Sequence, residues 1–183
     1  MAKQKLLKPI HLACSDDDMR PILQHIYIDK GCAIATNGNI MVKSDLMENS
    51  LINDQQIVDS LEGKLIHKDV WKDLIKAARI TVSEDKINAY TSGGVIEYPF
   101  AEPMGEDGKP LRYPNYNTII PPDSAKQEVA EFGLSSELFA IIGKALKTDR
   151  LKCVLNGRNK AICVTPIDTY EEFAIIMPID VSL

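Results

Sequence analysis

Four basic side chains, Lys68, Lys72, Lys76 and Arg79, follow one another at spacings of four, four and three. On a helix those spacings put them along one face. A row of cations suits phosphate contact, which is electrostatic and indifferent to base sequence. It suits a solvated helix surface equally well, since long basic side chains commonly cover such faces. Asp69 and Asp73 stand beside the row and dilute its field. Lys144 and Lys147, followed by Arg150 and Lys152, form a second and thinner set. No recognition-helix motif accompanies either set, so base readout is not expected.

Catalytic spacings are missing. No GxSxG elbow, P-loop, HExxH or GxGxxG occurs. His11, Cys14 and Asp16 cluster in sequence, but a nucleophilic Cys–His pair is defined by spatial geometry, not adjacency. His67 lies near Asp69 at the end of a predicted strand with no nucleophile close by in sequence. Glu171 and Glu172 point to opposite faces if extended, which spoils paired acid–base work. Asp16-Asp17-Asp18 reads as a solvated turn, because no further oxygen donors follow at loop spacing to complete a metal shell. The four cysteines, at 14, 32, 153 and 163, form no CxxC pair, and the three histidines lie at 11, 25 and 67. A zinc site is not expected on that spacing. The expectation is a protein with no catalytic residues, no metal and no cofactor; an enzyme of unrecognised chemistry ranks third among the readings.

The 183 residues are 45% hydrophobic and 26% charged, enough apolar material to close a core without disulfides or metal. The formal charge of −5 removes any bulk attraction to nucleic acid, so DNA contact needs a local basic patch. The basic opening through Lys8-Pro9 is not followed by the apolar stretch of an export signal. No apolar run approaches the roughly 20 residues of a membrane span. Reduced thiols, a cytoplasmic location and no membrane partner are the expectations.

The elements that must carry these groups alternate strongly. Lys8–Cys14 reads as extended, Ile22–Asp29 and Cys32–Thr36 as strands about a Lys30-Gly31 turn, and Ile40–Lys43 as a strand after the Asn37-Gly38 turn. Residues 45–63 read as a loop with a helical turn near 54–61. Then come a strand at Lys64–His67 and a helix over Asp69–Arg79, with Val70, Trp71, Leu74, Ile75 and Ala78 inward. Strands follow at Ile80–Val82, Ile87–Tyr90 and Val95–Phe100, then a long loop over 101–118. The last third repeats the plan: a strand at Glu131–Leu134, an N-cap at Ser135, a helix over Ser136–Lys147, and strands at Leu151–Leu155, Ala161–Thr165 and Glu172–Pro178. Residues 64–100 and 131–178 thus share one order of strand, helix and three strands. Tandem β-α-β-β-β units with isolated helices predict an α+β fold.

That repeat resembles the building unit of DNA sliding clamps, and three segments resemble the bacterial branch, the beta subunit of DNA polymerase III. Ala35-Thr36-Asn37-Gly38-Asn39-Ile40-Met41 is similar to the family's Ala-Thr-Asp-Gly-His-Arg-Leu. Tyr113-Pro114-Asn115-Tyr116 through Pro121 is similar to its Phe-Pro-Asp-Tyr…Val-Leu-Pro, and Ile175-Ile176-Met177-Pro178-Ile179 to its Val-Val-Met-Pro-Met ending. The resemblance runs over about residues 10–180. It implies a clamp fold with residues 1–121 like the family's middle domain and 122–183 like the second half of its last one. The first domain and half of the third have no counterpart here. The helix that the family places near residues 12–18 is not expected, since that segment is short and acidic.

From the same resemblance follow two sites. The helices would turn Lys68, Lys72, Lys76, Arg79, Lys144 and Lys147 toward duplex DNA, held weakly and without sequence preference. A pocket for short linear peptides of replication proteins would be formed by Leu23, Thr36, Gly38, Met41, Pro121, Ile175, Met177 and Pro178. The family's His-Arg after the turn glycine is Asn39-Ile40 here, which changes the polar rim. The implied role is a non-catalytic processivity or accessory factor of DNA replication, with ring closure requiring a homo-oligomer. The alternative is a stand-alone peptide-binding module that does not encircle DNA.

Overall fold

The computed structural model describes residues 7–47, 54–100, 102–129, 131–169 and 171–180. Its first strands form a meander: β1 (His25–Asp29), β2 (Cys32–Thr36) and β3 (Ile40–Asp45). Each hairpin turn is set by its residues. Lys30 and Gly31 both adopt positive φ, as two-residue hairpin loops require. Gly38 takes φ +94°, and its N–H donates to Thr36 Oγ1 at 3.1 Å while Asn37 Oδ1 accepts from the N–H groups of Asn39 and Ile40.

Next come α1 (Gln55–Leu61), N-capped by Asp54, then β4 (Leu65–His67) and α2 (Lys68–Leu74), N-capped by the His67 ring. Strands β5 (Arg79–Val82), β6 (Lys86–Thr91) and β7 (Gly94–Pro99) follow. The last elements are α3 (Ser136–Leu146), β8 (Leu151–Val154), β9 (Ile162–Pro166) and β10 (Phe173–Ile176). Ser135 Oγ accepts from Leu138 N–H at 3.2 Å, and Lys147 ends α3 in the left-handed conformation at φ 53°.

Seven strands form one sheet in the order β4-β1-β2-β3-β10-β9-β8, and β5-β6-β7 form a second. All described ladders are antiparallel, so the fold is α+β as the pattern predicts. The tandem units do not each keep their own sheet, however. β4 leaves its unit to pair with β1, and β10 crosses to pair with β3 over Phe173↔Lys43 to Ile176↔Ile40. All three helices bury their apolar residues in the same large core as the inner side chains of the seven-stranded sheet. They therefore lie on one face of it. The opposite face carries a smaller core of Cys32, Ile34, Met41, Tyr116 and Ile175.

Several boundaries differ from expectation. Lys8–Cys14 is not extended throughout: Ile10–Ala13 forms a 3-10 turn packed between α2 and α3. Pro21–Gln24 is likewise a 3-10 turn, its Pro21 fixing the entry, so β1 starts only at His25. α2 stops at Leu74, five residues before Arg79, which opens β5 instead of ending the helix. Consequently Ala77, not Ala78, is the buried alanine. Glu131–Leu134 is not a strand, since only Gly133 bridges, to Ile179. The absence of a helix over residues 12–18 agrees with the short acidic segment: Asp16, Asp17 and Asp18 are exposed.

Candidate DNA-facing helices and candidate peptide site

The inner face is built around Ile10–Ala13. Trp71, 2% exposed, donates its indole N–H to Lys8 O at 2.9 Å and locks α2 onto the chain that leads into this turn. Ile142, Ala145 and Leu146 of α3 are buried on the other side. With the apolar faces of both helices so fixed, Lys72, Lys144 and Lys147 are exposed. Among the described residues no ion pair is formed by any of these three.

The rest of the basic row has local work. Lys68 is pulled inward, its side chain 18% exposed, donating to Ser15 O at 2.9 Å and pairing with Asp16. Lys76 lies beyond the helix and pairs with Asp73 at 3.1 Å. The Arg79 guanidinium sits over the Tyr90 ring, 5.4 Å from its centroid. The single face expected for four cations therefore breaks up, because the helix is two turns long rather than three.

The His11–Cys14–Asp16 cluster does not assemble a nucleophile. Burial pushes the Cys14 thiol up to about 12, so it stays protonated at neutral pH. Burial, helped by the Lys72 ammonium, holds the His11 imidazole below its ordinary value of 6.5. Among the described residues, no group of three or more His, Cys, Asp or Glu side chains is placed to hold a metal ion.

On the outer face, register gathers most of the candidate peptide residues. Thr36 pairs with Met41, and Met41 with Ile175, so three neighbouring strands set these side by side. Gly38 closes the β2–β3 turn at the same end, and Met177 N–H donates to Asn39 O at 3.0 Å, bringing Met177 and Pro178 beside that turn. Leu23, in the 3-10 turn feeding β1, reaches the same end, where Arg20 Nη1 lies 3.2 Å from the point a Cβ on Gly38 would occupy. Pro121 stands apart over β8 and β9, lining a cavity of about 390 Å³ with Val154, Cys163 and Pro166.

Burial divides the group. Met41 at 0%, Ile175 at 1%, Leu23 at 8% and Thr36 at 9% are enclosed, whereas Met177 is 45% exposed. What encloses Met41 and Ile175 is the segment expected to be loop. Tyr113 stacks on Tyr27 with centroids 5.1 Å apart and donates to Ile34 O at 3.3 Å. Tyr116 donates to Asp29 Oδ2 at 2.6 Å, and Ile120 packs on the same cluster. Sequence reasoning assigns neither these tyrosines nor Arg20 to the site, and reads Asn39 only as a change in its polar rim. Tyr113 and Tyr116 enter the sequence reading only within the motif resemblance, since their partners lie about 80 residues away.

An α+β body with its helices on one face of a strand-exchanged antiparallel sheet is the architecture of a DNA clamp. Comparison with solved structures places the chain there directly. The DNA polymerase III subunit beta from Borrelia burgdorferi superposes with a TM-score of 0.67 at 12% identity, over 98% of this chain and 63% of that one. The sliding clamp from Bacillus subtilis gives 0.63 at 12% identity, over 97% and 64%. That from Bartonella birtlesii, solved with griselimycin bound, gives 0.62 at 17% identity, over 94% and 63%. The chain is thus a divergent clamp-like protein in fold, spanning a little under two thirds of the length of these clamps. No protein-family model and no curated protein sequence matches it.

Proposed function

We propose that this chain is a non-catalytic clamp-like accessory protein of DNA replication in the cytoplasm. It holds duplex DNA weakly through its inner face and recruits partner peptides at its outer one. The observation that carries the reading is the exposure of Lys72 and Lys144 on helices that share one face of the sheet and of Lys147 at the end of α3, all three without ion partners among the described residues. Lys68, Lys76 and Arg79 are left to shape and flank that surface. Residues 1–121 act in this reading as a clamp domain and 122–183 as the half-domain that completes its sheet. Several copies would be needed to surround a duplex.

The peptide would approach at Gly38, Asn39, Met177 and Pro178, with Leu23, Met41 and Ile175 as the apolar floor and Thr36, its hydroxyl bonded to Ile40 O, bracing the turn. Methionine suits such a site because it repacks around varied anchors. Reaching Met41 and Ile175 requires the 113–121 segment to shift.

The test is DNA binding measured against salt. With about three phosphate contacts, affinity should fall roughly 40-fold between 50 and 200 mM salt. Lys144→Glu with Lys147→Glu should remove most of it. Binding that is insensitive to salt, or unchanged in that double variant, removes the DNA proposal. The break-up of the basic row, with Lys68 paired to Asp16 and Lys76 to Asp73, favours the second reading, a peptide module that does not encircle DNA. That reading expects no DNA binding and a clamp-binding peptide whose affinity drops with Met177→Ala.

A further inference from the structure

A cavity of about 430 Å³ opens on the outer face, at the end of β1 away from the Gly38 turn. Residues 111–117 wall one side of it. Tyr27, Asp29, Gly63 and Leu65 form the other. Strand alternation sets this face: Ile26 and Ile28 are buried in the large core, so Tyr27 and Asp29 turn outward. The volume is that of a small-molecule site, and the lining is of the matching kind, aromatic and apolar side chains with a few polar groups among them.

Three features limit what can enter. The Tyr27 and Tyr113 rings stack with centroids 5.1 Å apart, which gives a flat aromatic wall. Asp29 has no counter-ion: among the described residues it forms no ion pair, and Tyr116 holds it by donating its hydroxyl to Oδ2 at 2.6 Å. A carboxylate offers about four acceptor sites, so both oxygens keep room for a further donor. Burial, helped by that carboxylate, pushes the Tyr27 and Tyr116 phenols above their ordinary value, and they stay protonated. Arg112 also lines the cavity, exposed and without an ion pair among the described residues.

A ligand that answers all three is flat, offers hydrogen-bond donors side by side and carries an anion. Among nucleobases only guanine sets two donors together, its ring N1–H and its 2-amino group, to match the two oxygens of a carboxylate. Adenine and cytosine place an acceptor nitrogen beside their amino group, which would oppose the second oxygen. Uracil and thymine flank their one N–H with carbonyls. We propose that this cavity binds a guanine nucleotide, its base against the Tyr27–Tyr113 wall, its Watson–Crick edge on Asp29 and its phosphate on Arg112.

The chemistry is the same for a free nucleotide and for an unpaired guanine in a single strand, whose bases commonly stack on aromatic side chains. With a single cation to meet the phosphate on an acidic body, binding is modest and weakens with salt. Neither the duplex nor the peptide reading is needed for it.

Calorimetric titration of the full chain with guanosine, inosine and adenosine monophosphates tests it. The guanosine form should bind. The inosine form, which lacks the 2-amino donor, should bind roughly tenfold more weakly, as loss of a bond to a charged group implies. The adenosine form should give no heat. Arg112→Ala should weaken guanosine monophosphate and leave guanosine itself unchanged. Asp29→Asn should remove the preference for guanine. A thymidine strand with one central guanine, titrated into the Lys144→Glu, Lys147→Glu variant, separates the two sources: tighter binding than the mononucleotide marks a strand, weaker binding a free nucleotide. No heat with guanosine monophosphate at millimolar concentration, equal binding of the guanine and adenine forms, or Arg112→Ala weakening guanosine as much as its phosphate overturns the proposal. Should Asp29→Asn fail to fold, the ligand series and Arg112→Ala decide the question.

Discussion

The two sheets obey the same antiparallel rules and end in opposite conditions. The seven-stranded sheet is covered on both faces, by α2 and α3 inside and by the 113–120 segment outside. Its β3–β10 seam is flanked by Glu172, which has 0% exposure and accepts from Ser44 Oγ at 2.7 Å and from Lys8. The three-stranded sheet is covered on one face and left open along β7, where the comparable ion pair, Lys86–Glu97, stands in water. A charge pair inside the first sheet holds two distant segments together. One outside the second guards little. The first sheet is the place to look for stability.

The widest separation should come from the two glutamates. Glu172→Ala strands the Lys8 ammonium and Ser44 hydroxyl in a closed site and should cost about 3–5 kcal/mol in a denaturant titration. Glu97→Gln should leave the unfolding midpoint where it is. If the two variants unfold alike, the contrast between the sheets is wrong. Apolar truncation should follow the same order at smaller scale. Met41→Ala, in the outer core, should cost about 2–5 kcal/mol, and Val95→Ala should be close to neutral. A third variant sharpens the picture at the candidate peptide rim. Gly38→Ala forces φ +94° on a residue with a Cβ and presses it on Arg20, and should cost about 1–3 kcal/mol.

The smallest effect is one of pH. Burial holds the His25 and His11 imidazoles below their ordinary 6.5 in the folded chain. The unfolded chain therefore binds protons first, and stability present above about 6.5 falls as the pH drops below it. His25→Gln should flatten that slope. A midpoint that stays constant through this range in the original sequence contradicts the assignment.

Legibility followed sequence distance. The Lys30-Gly31 and Asn37-Gly38 turns, the Ser135 cap and the helix faces were readable because each rests on residues within a few positions. The α2 boundary was misread because Ala77, Ala78 and Arg79 are all compatible with helix. Nothing local shows that Ala78 N–H is claimed by Tyr90 O in another ladder. In the candidate peptide site, Thr36, Gly38 and Met41 were legible as one hairpin. That Ile175 joins them depended on the motif resemblance until the β3–β10 register placed it there.

The sequence alone determined the order of strands and helices, the turn chemistry and the acidic body with a few helical cations, because those depend on alternation and near-neighbour sterics. Tertiary structure decided which strands share a sheet, that Lys68 is spent on Ser15 and Asp16, that the tyrosines of 113–116 cap the outer core, and that β7 forms an outer edge of its sheet. Those outcomes belong to pairings between segments far apart in the chain, where each strand has several partners of similar composition and only the packed whole selects among them.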